Sequence, residues 1–276
     1  MSGDSSPATP ATNEPAETPI RPNAGALFRA FLNSPLAGLA PWIVMSILSG
    51  PGRFELSVLV ALALSVTFVV AGHRRHSQYK LMEVFDLIFF AGFALIGILA
   101  SPAQITWMET WAGEITNIVL TLFVLFTIVI RKPFTIEYAR EQTPKEYWDT
   151  PMFVRINYQI TWMWFAAFAV QAISGAYGDE VLRNNNNFWT GWVIQLAAVV
   201  FAAAFTEFWP DYASGKAQGE PTQSLWHLLD WLPVFILITG VAGLMTDGVP
   251  TMVGIALVVI GVIGMFLLRR LVPADS

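Results

Sequence analysis

The strongest constraint in this sequence is a series of apolar blocks about as long as the roughly 20-residue helices that cross a lipid bilayer. Hydrophobic residues make up 55% of the 276 residues, and Asp, Glu, Lys and Arg together make up 13%. A soluble domain carries about 25% charged residues, so this composition excludes an ordinary soluble fold, a disordered chain and a nucleic-acid-binding module. We therefore predict an all-α, polytopic membrane protein that is embedded in the lipid bilayer and does not bind nucleic acid.

The apolar blocks predict about eight transmembrane helices. The eight predicted segments are 35–50, 54–72, 82–100, 113–130, 157–178, 188–209, 231–245 and 249–268. At about 1.5 Å per residue, the longer segments match a hydrocarbon layer of about 30 Å. The first segment is short and contains Pro41, and the seventh is also short. Each of these two could span fully, tilt, or enter and leave on the same side.

The positions of the basic residues predict the orientation. If the N-terminus is cytoplasmic and the chain crosses eight times, 13 of the 15 Lys and Arg residues lie on the cytoplasmic side. Arg53 and Arg183 are the two on the outer side. Cytoplasmic loops of membrane proteins are enriched in Lys and Arg, so the distribution predicts an even number of helices and cytoplasmic termini.

Composition along the chain predicts three parts. Residues 1–24 are rich in Pro, Ala, Thr, Ser and Glu, which predicts a disordered cytoplasmic tail. The tail has no basic segment followed directly by an apolar one, so a signal peptide is not predicted. Residues 25–212 form a predicted six-helix membrane core with a cytoplasmic loop at 131–156. Residues 213–276 add two transmembrane helices and a short tail.

The cytoplasmic stretch 131–157 is the most distinctive polar segment, with five basic and four acidic residues. Charge-mixed segments of this kind are commonly solvated loops, and they can also serve as docking surfaces. Thr143-Pro144 could start a short interfacial helix. The candidate partner-contact residues are Lys132, Pro133, Tyr147, Trp148, Arg155 and Asn157.

Carboxylates within or beside the predicted helices are the next candidates, because ionisable residues in membrane spans usually have a function. Glu83 and Asp86 lie three residues apart on one face of the third helix, and Glu114 lies at the predicted outer start of the fourth. Glu207 and Asp230 lie at predicted inner boundaries. All five fall near an interface, which predicts boundary ion pairs and argues against an ion-coupled pump. For Glu83 or Asp86 the expected partners are basic residues of the 74–80 or 131–155 regions.

The remaining polar residues predict neither a cofactor nor a catalytic centre. Gln171 and Gln195 lie deeper and could hydrogen-bond between neighbouring helices. His73 and His76 flank two arginines in a basic loop without a nearby carboxylate, which is a poor metal site. The chain has no Cys, and it lacks the motifs of phosphate loops, serine hydrolases and zinc peptidases. The sequence therefore predicts no metal, no cofactor and no enzymatic activity.

Several local patterns resemble the bacterial intracellular septation protein A family of inner-membrane proteins. They are a short Pro-broken first helix (SPLAGLAPWIVMSILSG), a basic loop after the second helix (HRRHSQYKLM), Lys132-Pro133 after the fourth, and Trp148 before Arg155-Ile156-Asn157 at the fifth. The resemblance covers residues 33–212, and the last two helices are additional.

The resemblance implies a multi-pass protein of the bacterial inner membrane that acts in cell-envelope synthesis or division through contacts with other proteins of that membrane. A non-enzymatic scaffold is therefore the leading functional hypothesis. The alternative is a transporter of a small neutral or lipid-like substrate, which would not need a charged midplane. A transporter should show internal repeats and discontinuous helices, for which the short first and seventh segments are the available hints.

Overall fold

The computed structural model describes residues 35–48, 52–76, 79–184 and 187–271. The predicted tail 1–24 lies outside the described residues. Across those ranges the chain is helical and contains no strand, so the all-α prediction is confirmed for this part of the chain. The nine α-helices described are α1 (Pro35–Leu48), α2 (Phe54–His76), α3 (Leu81–Leu99), α4 (Pro102–Val129), α5 (Thr135–Gln142), α6 (Pro151–Ala176), α7 (Ile194–Gln218), α8 (Leu232–Met245) and α9 (Thr251–Leu271).

Six helical segments are long and apolar enough to cross a membrane. They are Phe54–His73, Leu81–Leu99, Pro102–Val129, Phe188–Gln218, Leu225–Met245 and Thr251–Leu268. The 14 residues of α1 extend about 21 Å, which is shorter than the hydrocarbon layer. The 26 residues of α6 are long enough but carry more polar side chains. The molecule is thus a multi-helical membrane protein, while the count of eight spans and the cytoplasmic termini remain predictions.

Local capping explains where α4 and α6 begin. α4 begins at Pro102 and not at 113, because Ser101 caps it and the Ser101 amide donates to Gln104 Oε1 at 2.8 Å. α6 begins at Pro151 and not at 157, because Thr150 Oγ1 accepts the Phe153 amide hydrogen at 3.3 Å. A polar N-cap followed by Pro at the first helical position is a strong start signal.

Helix α7 runs through Pro210 and ends at Gln218, where Gly219 adopts a left-handed conformation with φ +71°. The helix therefore continues past the predicted division of the chain at 212. Residues 213–276, which were predicted to add two helices, therefore also include the last turns of α7. The missing amide of Pro210 removes one helical hydrogen bond without ending the helix.

Aromatic rings fill the space between α1, α3 and α4. The Trp42 ring centroid lies 4.6 Å from that of Phe89 and 4.9 Å from that of Phe90, while Phe85 stacks on Phe123 at 4.0 Å. α6 packs against both α4 and α7, and α8 packs against α9. These contacts join α1–α4 and α6–α7 in one hydrophobic core.

Glycines allow α8 and α9 to pack at short range, because small residues let helix backbones approach closely. A Cβ atom on Gly240 would lie 2.8 Å from the Val258 amide nitrogen, and one on Gly261 would lie 2.6 Å from that of Leu237. Each glycine is therefore needed for the two backbones to approach this closely.

Candidate functional site

Buried polar side chains concentrate in two places. The α3–α5 cluster comprises Trp42, Lys80, Glu83, Asp86, Glu137, Tyr138 and Glu141. The α4–α6 cluster comprises Glu114, Asn117, Gln171, Ser174, Thr190 and Gln195. Ionisable and amide groups inside a membrane helix bundle are the usual location of function, so these two clusters are the candidate sites.

Helix α5 positions the first cluster, and the sequence-based prediction of a loop at 131–156 missed it. Phe134, Thr135 and Tyr138 are fully buried against the bundle. Thr135 Oγ1 lies 2.7 Å from Thr161 Oγ1 and donates to the Asn157 carbonyl at 3.1 Å. Phe134 and Thr135 precede Tyr138 by four and three positions, which places all three on one face of a helix. This spacing is the sequence signal from which α5 could have been predicted. Segment 131–150 therefore contains a helix docked on the bundle, followed by an exposed turn.

Lys80 links α5 to the start of α3. Its Nζ atom lies 3.0 Å from the Glu141 carboxylate and 3.8 Å from Glu83 Oε1. The same ammonium group lies 4.1 Å above the centre of the Tyr138 ring. The Leu81 amide donates to Glu137 Oε2 at 2.6 Å, so the carboxylate of Glu137 caps the first turn of α3.

Asp86 lies deeper in the same cluster, with 1% of its surface exposed. Its carboxylate accepts a hydrogen bond of 2.7 Å from the Trp42 indole nitrogen. The ion-pair partner of Glu83 is thus a basic residue of the 74–80 region, as predicted, whereas the hydrogen-bond partner of Asp86 is an indole on α1. A neutral donor satisfies this oxygen but supplies no opposite charge.

Two groups of α5 have pKa values displaced by their surroundings. Burial raises the pKa of Glu137 above its usual 4.5, and the Leu81 amide and Lys80 partly oppose this shift. Burial and the nearby carboxylates, Asp86 first among them, raise the pKa of Tyr138 well above 10. Tyr138 is therefore a neutral phenol. Its hydroxyl has no hydrogen-bond partner among the described residues and packs directly on Gly38, where a Cβ atom would overlap it.

The candidate partner-contact residues divide by burial. Lys132, Tyr147 and Arg155 are exposed. Pro133 and Asn157 are buried, which corrects their assignment to a contact surface. The Asn157 side-chain nitrogen instead donates to the Phe153 carbonyl at 2.9 Å within α6. The Asn157 prediction failed because α6 begins six residues earlier than expected and carries this residue into the core.

Trp148 is half-buried and has a structural role. Its indole nitrogen donates to the Thr143 carbonyl at 2.9 Å, and the guanidinium of Arg140 lies 5.2 Å from its ring centre. The 3₁₀ turn Lys145–Tyr147 stands where the sequence predicts a short interfacial helix. These contacts close the 143–150 segment into an ordered turn with Tyr147 at its surface.

The other two boundary carboxylates lie elsewhere. Glu207 is exposed on α7. Asp230 Oδ2 lies 2.9 Å from Nδ1 of His227, three residues earlier in the chain. Neither carboxylate belongs to the α3–α5 cluster or to the α4–α6 cluster.

Glu114 anchors the α4–α6 cluster. The prediction that it lies at the outer start of its helix is wrong, because α4 begins twelve residues before it. Glu114 is 8% exposed, and its carboxylate lies directly against Gly175 of α6, where a Cβ atom would overlap it. Glu114 lies more than three turns into a helix that is long and apolar enough to span a membrane. A buried carboxylate in such a position is a functional candidate.

Amide side chains extend this cluster into the bundle. Asn117 Nδ2 donates to Gln195 Oε1 at 3.5 Å, and Gln195 Nε2 donates to the Thr190 carbonyl at 3.1 Å. Gln195 therefore bonds to α4, as its depth suggests. Two buried atoms of the cluster, Glu114 Oε2 and Gln171 Nε2, have no partner among the described residues.

Within the described residues no group of three or more His, Cys, Asp or Glu side chains has a metal-binding arrangement. Comparison of the chain with known protein families, curated proteins and solved structures finds no match. The resemblance to the septation protein A family therefore remains a hypothesis based on the residues quoted above.

Proposed function

We propose that this protein is a non-enzymatic scaffold of the bacterial inner membrane that binds other membrane proteins of cell-envelope synthesis or division through its 131–150 segment. The observation that carries the proposal is that this segment is a folded element anchored in the helix bundle. The septation-protein resemblance supplies the cellular process and the membrane.

Anchoring makes the segment suitable for recognition. The buried side chains of Phe134 and Tyr138 fix α5, and the contacts of Trp148 with Thr143 and Arg140 fix the turn that follows. A surface that is already ordered loses little conformational entropy when a partner binds. The ordered turn presents Tyr147, and Tyr, Trp and Arg are the residues that most often contribute strongly to binding.

The packing of the bundle also supports a scaffold over a conduit. Between α1, α3 and α4 the interior is filled by stacked rings of Trp42, Phe85, Phe89, Phe90 and Phe123. Such an interior holds the helices at a constant distance from one another and leaves them as a rigid support for a docked surface element.

Transport of a small solute is the second candidate, and the α4–α6 cluster is the observation that favours it. Irregular π-helical turns at Tyr177–Val181 and Phe188–Val193 adjoin the buried amides of this cluster. Interrupted helices beside buried polar groups are common in transporter binding sites. On this alternative, substitutions at Gln171 and Gln195 should change substrate flux, and substitutions at Tyr147 should not.

The scaffold proposal is tested by Tyr147→Ala in crosslinking pull-downs from membranes. Tyr147 is 52% exposed, so its removal should leave the fold intact and strongly reduce partner recovery. Tyr177→Ala is the matched control, because Tyr177 is 50% exposed and follows the opposite end of α6. Trp148 is left unchanged because its loss would also disturb the turn.

Equal recovery of partners from both variants and the wild type, at equal protein levels, would reject segment 131–150 as the contact surface. Loss of recovery in the Tyr147 variant alone would support the scaffold function. Photo-crosslinking residues placed at 147 and 177 in otherwise wild-type protein then identify the bound proteins, and an envelope or division protein is expected at 147.

A further inference from the structure

We propose that the α4–α6 cluster binds a small monovalent cation, an alkali-metal ion held by Glu114 with amide oxygens of Asn117 and Gln171. This site goes beyond the proposed scaffold function and does not depend on it. Glu114 lies fifteen residues before the end of α4 at Val129, about 22 Å along the helix from the end that leads to segment 131–150.

The charge of Glu114 is not balanced by the protein around it. Among the described side chains no basic group lies within ion-pair distance of its carboxylate. The charged side chain that acts on it is Asp179, which has the same sign. Buried charges in proteins are normally paired or bound to an ion, so a carboxylate in these surroundings needs a positive ligand or a proton.

Helix α6 brings main-chain atoms next to the Glu114 carboxylate. The Glu114 carboxylate packs on Gly175, in the last turn of α6, which ends at Ala176. The chain continues from α6 into the π-helical turn Tyr177–Val181, and the Tyr177 amide donates to the Ile173 and Ser174 carbonyls, so this packing supplies no positive charge to the carboxylate.

Two buried atoms without a hydrogen-bond partner leave polar groups available to a ligand. Glu114 Oε2 and Gln171 Nε2 have no partner among the described residues, and both side chains are 8% exposed. Gln171 lies one turn before Gly175 and therefore on the same face of α6, towards Glu114. Rotation about its last side-chain bond exchanges nitrogen and oxygen, so the carboxamide oxygen can take the place of the unpaired nitrogen.

The donor types indicate which ligand fits. Asn117 lies one turn from Glu114 on α4 and adds a second amide to the carboxylate and the Gln171 carboxamide. Carboxylate, amide and carbonyl oxygens suit hard cations. The site has a single buried carboxylate, so one positive charge neutralises it. Irregular backbone inside membrane helices helps to hold alkali ions in membrane transporters, and α6 continues here into the π-helical turn Tyr177–Val181.

The test measures thermal unfolding of the purified full chain in detergent at constant pH and ionic strength, with NaCl or KCl replacing choline chloride. A ligand that binds the folded state raises the midpoint as its concentration increases. A saturating rise in NaCl or KCl is expected for the wild type, and Glu114→Gln should abolish it. Glu109→Gln, on the same helix, should retain it, because the Glu109 carboxylate contacts the Gly52 amide outside the cluster.

Equal midpoints in all three salts, or a saturating rise that persists in Glu114→Gln, would overturn the proposal. A cation-induced infrared difference spectrum of the wild type makes the test independent of how the variants fold, because a carboxylate that binds a cation shifts its stretching bands. Carboxylate bands that respond to pH alone, and not to Na⁺ or K⁺, would assign Glu114 to a proton and reject the cation site.

Discussion

The hydrogen bond between Trp42 and Asp86 is expected to be a major tertiary link between α1 and α3. It is 2.7 Å long and ends on a carboxylate with 1% exposure. A typical hydrogen bond contributes about 0.5–1.5 kcal/mol net, and a buried polar group left without its partner costs about 1–3 kcal/mol. Trp42→Phe should therefore lower the free energy of unfolding by about 2–4 kcal/mol, including the smaller ring.

The second half of this experiment removes the acceptor. Asp86→Leu alone leaves the indole nitrogen unpaired and should also destabilise the protein. In the double variant both polar groups are gone from a site surrounded by aromatic rings, and replacing both partners by apolar groups can be nearly neutral. The loss in the double variant should therefore be about 1–3 kcal/mol smaller than the sum of the two single losses.

Equilibrium unfolding of the purified protein in detergent, followed by circular dichroism, measures the four free energies. Trp226→Phe is the matched control, because Trp226 is 65% exposed, and it should change stability by no more than about 0.5 kcal/mol. Losses at 42 and 86 that add within about 0.5 kcal/mol would refute the energetic coupling of these two side chains.

Three further predictions concern other parts of the molecule. Burial raises the pKa of Glu137 above 4.5, so the unfolded chain loses this proton first and the free energy of unfolding falls as the pH rises above 4.5. In denaturant titrations Glu137→Gln should show a smaller fall as the pH rises above 4.5. Gly175→Ala should destabilise by about 1–3 kcal/mol because its methyl overlaps a carboxylate, whereas Gly92→Ala, which meets nothing within 4 Å, should not destabilise in the same thermal assay. Reporter fusions after residue 142 should read as cytoplasmic and those after residue 247 as external, and the reverse at either position would contradict the charge-based orientation.

The capped helix starts show which helix boundaries could be predicted from the sequence and which could not. The apolar segments of the sequence locate α2 and α3 within a few residues of their observed ends. This succeeds because hydropathy depends only on consecutive residues. α4 and α6 begin earlier than the apolar segments indicate, since Ser101 and Thr150 cap turns that contain polar residues. Capping signals were present in the sequence, but the hydropathy average outweighed them in the prediction.

The candidate sites depended on those boundaries. An error of eleven residues at the start of α4 placed Glu114 at an interface, when it lies buried against α6. Likewise α5 was missed, so the neighbours of Lys80 and Glu83 on that helix could not be anticipated. An error of several residues in a helix boundary became a large error in the depth assigned to a side chain, because each helical residue advances the chain about 1.5 Å.

The sequence by itself determined the class of this protein: apolar blocks of spanning length and sparse charge permit a helical membrane protein and little else. The tertiary structure alone decided which polar groups meet. Lys80 and Glu141 are 61 residues apart in the chain, as are Glu114 and Gly175, yet each pair is in contact. Hydropathy is a property of consecutive residues, whereas these contacts arise when separate helices pack, and their charge balance and burial exist only after packing.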